Sequence, residues 1–206
     1  MTRRALLVGV LALLAGCGGG APAAEERAGP RELVEALRGG GHVIYFRHAL
    51  TDHSQKDALA EPLRSCSLQR NLTEAGREQA RSIGEAISTL AIPVGEVRSS
   101  EYCRCLDTAR LAFGRAEPVP LLSGIPPEGE RDHAERVAAL RELLAGPPAP
   151  RSNRVVVAHK DNLEDTAGVV LEEGEAAVFE PLGGGEFRLL GRIPAAVWPR
   201  LAEELA

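Results

Sequence analysis

Aromatic side chains are scarce, at 3% of 206 residues, and the chain carries one Trp, one Met and four Cys. A core built from this composition is aliphatic. So few cysteines exclude a disulfide-dense scaffold, and a chain of this length buries roughly 70% of its unfolded surface without cross-links or metals. Positive charge is also in deficit: 24 Lys and Arg face 29 Asp and Glu, for a net charge of -5. That balance argues against a generally basic, nucleic-acid-binding surface, while leaving room for a local cationic pocket. Apolar runs are short as well. Ala5 to Ala15 covers 11 residues, about half of the roughly 20 that a membrane-spanning helix needs. What remains, 44% hydrophobic and 26% charged, is the composition of one globular domain with a short appendage.

The appendage is N-terminal. Arg3 and Arg4, the apolar stretch and a small-residue end are the parts of a secretory signal. The boundary Leu14-Ala15-Gly16-Cys17 resembles the bacterial lipobox, which implies cleavage before Cys17 and lipidation of its thiol. Gly18, where no aspartate stands, resembles outer-membrane sorting. Residues 1–16 are thus expected to be a signal peptide and 17–30 a lipidated cysteine with a Gly/Ala/Pro-rich tether. Residues 31–206 form the folded domain, exported and facing the periplasm. Cleavage removes two arginines and no acid, leaving a mature charge of -7. Cys66, Cys103 and Cys105 remain, and an oxidising compartment favours one bridge with one thiol over. A bond from Cys66 to either partner braces the segment carrying Arg104, and Cys66–Cys105 is the expected pair.

Along the domain, Leu33, Val34 and Leu37 lie at helical spacing before a stop at Gly39-Gly40-Gly41. His42 to Phe46 reads as a buried strand. Thr73 caps a helix whose Ala80, Ile83, Ile87 and Leu90 share a face, and Pro93 ends it. Val94 to Val97 is a short strand, with Ser99-Ser100 opening a helix that carries Tyr102, Leu106, Ala109 and Phe113. A strand near Val119 to Leu122 and a helix capped by Asp132 and Glu135 follow. Arg154 to Ala158 is a strand, Ala176–Phe179 and Phe187–Leu190 form a hairpin, and Pro194 starts a last helix with Trp198 partly in the core. Alternating strands and helices predict an α/β domain with a mainly parallel central sheet, and ligands bind beyond the carboxyl ends of such strands.

Polar residues stand at those ends. Arg47-His48 follows the first strand, Arg104 comes shortly after the second, and His159 follows the valine strand. Guanidinium forks suit phosphoryl oxygens, and clustering two of them costs repulsion unless an anion is the guest. Four ordered stretches carry a resemblance: Arg47-His48-Ala49-x-Thr51, Asn71-Leu72-Thr73-x-x-Gly76, Ser99-Ser100-x-x-x-Arg104-x-x-x-Thr108-Ala109, and Val156-Val157-Ala158-His159. They resemble the histidine phosphatase superfamily, in its phosphoglycerate-mutase-like branch, over roughly residues 40 to 200.

The resemblance implies a three-layer sandwich, with helices on both faces of the sheet. It implies that His48 is the nucleophile that becomes phosphohistidine, with Arg47, Arg104 and His159 binding the phosphate. The proton donor to the leaving group is expected in the loop from Ser123 to Arg131, with Glu128 first; Glu130, Asp52 and Asp161 compete. Ala49 departs from the glycine usual after the Arg-His pair. The expected activity is phosphomonoester hydrolysis, on an unidentified phosphorylated small molecule or envelope glycan. The alternative is an inactive envelope lipoprotein that binds phosphorylated ligands. No cofactor or metal is called for, since the arginines neutralise charge and His42, His48 and His53 lack a compact ligand spacing. Lys160 and Arg70 either widen the cationic rim or are solvated charges. The expected partners are the substrate and, through Cys17, a membrane.

Overall fold

The computed structural model describes residues 26–58, 62–123 and 130–206. Helix α1 (Pro30–Arg38) starts on a proline and stops at Gly39, burying Leu33, Val34 and Leu37. Strand β1 (Val43–Arg47) follows. After a loop with two short 3₁₀ turns comes α2 (Glu74–Thr89), whose Thr73 hydroxyl caps the Gly76 amide. Next are β2 (Val94–Ser99), α3 (Cys103–Phe113), β3 (Glu117–Pro118) and α4 (Glu130–Ala145). The chain closes with β4 (Asn153–Ala158), α5 (Lys160–Ala167), the hairpin β5 (Ala176–Gly183) and β6 (Glu186–Ile193), and α6 (Val197–Leu205).

The six strands form one sheet in the order β3-β2-β4-β1-β5-β6. Pairings from β3 through β1 are parallel, while β1–β5 and β5–β6 are antiparallel. The sheet is therefore mixed, and mainly parallel describes only one side of it. The reason is local: β5 and β6 join through a tight turn, with Gly183, Gly184 and Gly185 all at positive φ, and so short a connection permits only antiparallel strands.

Strand alternation divides the core into two layers. Ile44, Phe46, Val155 and Val157 pack on one face with α1, α2, α3 and α6. Val43, Tyr45, Val156 and Ala158 pack on the other with Leu140 and Leu144 of α4 and Leu163 of α5. Two aromatics flank Phe46, with ring centroids at 5.8 Å for Phe113 and 6.0 Å for Trp198. Trp198 is fully buried rather than partly so. Gly76 answers to a close approach, since a β-carbon there would lie 2.0 Å from the Leu50 carbonyl oxygen.

Several boundaries differ from the sequence expectation. Helix α3 begins at Cys103, not at the serines, because the Ser100 amide still bonds Val157 across the sheet. The strand expected near Val119 shrinks to two residues and gives way to a 3₁₀ turn over Pro120–Leu122, since prolines 118 and 120 cannot donate to a ladder. Asp132 lies inside α4 rather than before it. The last helix starts at Val197, not Pro194.

A disulfide joins Cys66 to Cys103, with Cα atoms 5.7 Å apart, and Cys105 is the free thiol among the described residues. This corrects the expected Cys66–Cys105 pair. Two residues along a helix turn the side chain by about 200°, so Cys103 meets the 3₁₀ turn at Cys66 while Cys105 points into the core. Alkylation of the unfolded, unreduced protein should label Cys105 and spare Cys66 and Cys103. Reduction should cost about 4 kcal/mol of stability for a loop of this length, measured by denaturant titration with and without dithiothreitol.

Candidate active site

The parallel pairing of β1 with β4 sets Arg47 opposite Ala158, so His48 and His159 leave the sheet side by side. Their ring centroids are 5.6 Å apart. The end of β2 pairs alongside, Ser99 opposite Val157, which brings Ser100 under His159 and aims the first turn of α3 at the pair.

His48 is buried, and its Nδ1 donates to the Ala49 carbonyl at 2.9 Å. The lone pair is then left on Nε2. Burial first, then Arg104 and Arg47, push its pKa down to about 3, against the Ala49 hydrogen bond and Glu173. His159 is held at both ends: its carbonyl accepts from the Tyr45 hydroxyl at 2.6 Å and its Nε2 lies 2.9 Å from Ser100 Oγ. Its ring stands edge-on to Tyr102 at 5.1 Å. Burial, followed by Arg104, His48, Arg70 and Arg47, holds His159 well below the usual histidine range. Both imidazoles are neutral at physiological pH.

Three guanidiniums surround them. Arg104 donates from Nη1 to Asp57 at 2.9 Å and to the Arg70 carbonyl at 3.3 Å, and it stacks 4.1 Å over Tyr102. Arg47 donates from Nη1 to the Leu171 carbonyl at 2.9 Å. Arg70, a rim candidate from sequence, places Nη1 3.3 Å from His53 Nδ1 and acts on the charge state of His159. Each of the three keeps a buried Nε with no partner among the described residues. Donors of this kind fit a tetrahedral oxyanion.

Ala49 sits at an ordinary negative φ, with its amide donating to Thr108 Oγ1 at 3.0 Å. The Thr108 hydroxyl donates in turn to the Arg104 carbonyl at 2.7 Å, so the motif threonine ties the two halves of the site together.

His48, Arg47, Arg104 and His159 are thus brought together, and other candidates are not. Asp52 bonds Ser54 and Gln55 at the surface. Asp161 is exposed beside Lys160, which reaches Glu164 on its own helix. Glu128 and Cys17 lie outside the described residues, and Glu130 is described only as the first residue of α4. Among the described residues, no three His, Cys, Asp or Glu side chains are grouped to hold a metal, and no helix is long and apolar enough to cross a membrane. Sequence reading missed Glu173, which touches Thr51 and Arg47, and Asp57, the counter-charge of Arg104. Glu173 sits in the acidic run Glu172-Glu173-x-Glu175, which reads as solvated surface. Nothing in its neighbours along the chain marks it as buried.

The family model for the histidine phosphatase superfamily, branch 1, matches residues 43–124, a segment that holds Arg47, His48 and Arg104 but ends before His159. The fold is similar to three solved phosphatase structures. The protein histidine phosphatase SixA complexed with tungstate has a TM-score of 0.55 at 14% identity, over 76% of this chain and 98% of that one. An alpha-ribazole phosphatase from Shigella flexneri has a TM-score of 0.53 at 16% identity, over 72% and 94%. A phosphoserine phosphatase mutant from Entamoeba histolytica, in complex with phosphoserine, has a TM-score of 0.51 at 13% identity, over 75% and 97%. No curated protein matches the chain by sequence. The family model covers less than half of the chain, and the solved structures share its fold.

The depressed histidines fix a sign for the pH dependence of folding. Both bind a proton more readily unfolded than folded, so stability should fall as pH drops below about 6.5. Denaturant titrations between pH 7 and 5 should show this slope, and His48→Gln should lessen it.

Proposed function

We propose that the protein hydrolyses phosphomonoesters through a phosphohistidine at His48. The observation that carries this reading is the His48 ring itself: buried, uncharged, with Nδ1 committed to a carbonyl and guanidiniums on either side. A pocket that only binds oxyanions has no use for a free imidazole lone pair, and a protonated histidine would hold an anion better.

In the reaction, Nε2 of His48 attacks phosphorus while the bond to the leaving-group oxygen breaks. That oxygen takes a proton from an acid, for which Glu128 remains the candidate. The ring keeps its Nδ1 proton and carries a positive charge while phosphorylated. Water then attacks phosphorus and returns a proton to that carboxylate, the N–P bond breaks and orthophosphate leaves. Arg47 and Arg104 stabilise the equatorial oxygens throughout, and His159 completes the clamp. The substrate we infer is a phosphorylated small molecule or envelope glycan.

Purified protein should release p-nitrophenol from p-nitrophenyl phosphate and, on acid-free quench, carry an acid-labile phosphoryl group. His48→Ala should lower turnover by about 10³-fold or more and abolish the label. Phosphate binding without turnover in either protein would instead establish the inactive binding lipoprotein.

We also infer export and lipid anchoring at Cys17, supported by the signal-like N-terminus and by a disulfide that needs an oxidising compartment. Cys17→Ser should move the protein from the membrane to the soluble fraction of lysed cells and remove palmitate labelling.

A further inference from the structure

Glu173 stands on the loop between α5 and β5, and its side chain is only 8% exposed. A buried carboxylate is costly unless its charge is met. Here the Thr51 amide donates to Oε2 at 3.1 Å and the Thr51 hydroxyl to Oε1 at 2.6 Å. Arg47 Nη2 and His53 Nε2 lie 3.5 Å away. Burial alone would push the carboxyl up, but the Thr51 bonds, His48 and Arg47 outweigh it, so the group is ionised at neutral pH.

The same loop grips the backbone of the nucleophile. Gly174 donates to the His48 carbonyl at 2.9 Å, the Arg47 amide donates to Glu175 at 3.1 Å, and the Arg47 side chain reaches Leu171. Gly174 holds φ +80°, and a β-carbon there would strike the Gln79 amide at 2.6 Å. The loop therefore sits in one tight place, with its carboxylate aimed at Arg47.

Arg47 shares the pocket with two other guanidiniums. Arg104 has Asp57 as its counter-charge, and for Arg47 the carboxylate within reach is Glu173. Without that charge, repulsion favours swinging Arg47 toward solvent, to which its side chain is already 15% exposed. With it, Nη1 and Nη2 are engaged on the loop, and the buried Nε edge stays turned away from both anchors.

We propose that Glu173 is a positioning residue, whose negative charge fixes the Arg47 fork beside His48 for the phosphoryl group. This rests on the phosphohistidine reading for its catalytic consequence, but the coupling to Arg47 can be read by binding alone.

The experiment compares wild type, Glu173→Gln, Glu173→Asp, Arg47→Ala and the Glu173→Gln/Arg47→Ala double variant. Two quantities are measured: kcat and KM on p-nitrophenyl phosphate, and inorganic phosphate affinity by calorimetry. Glu173→Gln removes the charge and keeps one of the two acceptors that Thr51 uses, the other oxygen becoming an amide donor. Its kcat/KM should fall about 10²-fold, with weaker phosphate binding and a fold that stays intact at the assay temperature. Glu173→Asp should recover most of the loss. The double variant should be no worse than Arg47→Ala, as expected of residues acting through one contact. Wild-type behaviour in Glu173→Gln, or losses that multiply in the double variant, would overturn the proposal. Should Glu173→Gln fail to fold, Glu173→Ala and Glu173→Ala/Arg47→Ala take its place in the same comparison. Wild type without turnover would sink the hydrolase reading, and the phosphate affinities would still decide the role of Glu173.

Discussion

The hydrogen bond from His48 Nδ1 to the Ala49 carbonyl sets the chemistry open to this pocket. A neutral imidazole has one proton, and this contact commits it, so the other nitrogen keeps a lone pair. Burial and the neighbouring guanidiniums then oppose a second proton. The cationic surroundings that would attract a phosphate thus also keep this imidazole uncharged, with a free lone pair. In the proposed reaction, one electrostatic arrangement would both hold the anion and prepare the attacking atom.

That arrangement depends on the topology of the sheet. The parallel side delivers His48, His159 and Ser100 to one edge, because strands that run the same way end together. The antiparallel side supplies something different. Strand β5 pairs with β1 in the reverse sense, so the chain enters β5 at the edge where β1 ends, and the loop carrying Glu173 lies against Arg47 and His48. A fully parallel sheet would start β5 at the far edge. The mixed topology therefore gives the site its inner carboxylate.

Much of this was legible because it rests on local rules. The valine strand ending in His159, the Arg47-His48 pair after a buried strand and the Thr73 cap each announce themselves within a few residues. Parts set by distant contacts were not. Helix α5 has polar composition with Leu163 alone fully apolar and buried, so no periodic stripe marks it. The cysteine pairing turned on which face of α3 packs inward: Cys103 and Cys105 lie on opposite sides of the helix, and Cys105 meets the core while Cys103 meets the loop at Cys66. Glu173 is buried by a loop that packs far along the chain from its partners.

The cysteines add a constraint on where the site can be well ordered. Cys103 immediately precedes Arg104, and its bond to Cys66 ties α3 to the loop that carries Asp57 and Arg70. Among its described residues that loop carries two 3₁₀ turns and one isolated bridge, and it supplies the counter-charge and the backbone acceptor that Arg104 uses. In a reducing compartment the tie opens, the loop regains conformational entropy, and the geometry around Arg104 loosens, where the proposed phosphate binding would need it fixed. Cys105 cannot substitute, because it is buried against His159, 3.7 Å from Nε2, with its thiol pushed up to about 12 by burial. The order of the segment around Arg104 and the redox state of the surroundings are therefore linked through one covalent bond beside the arginine.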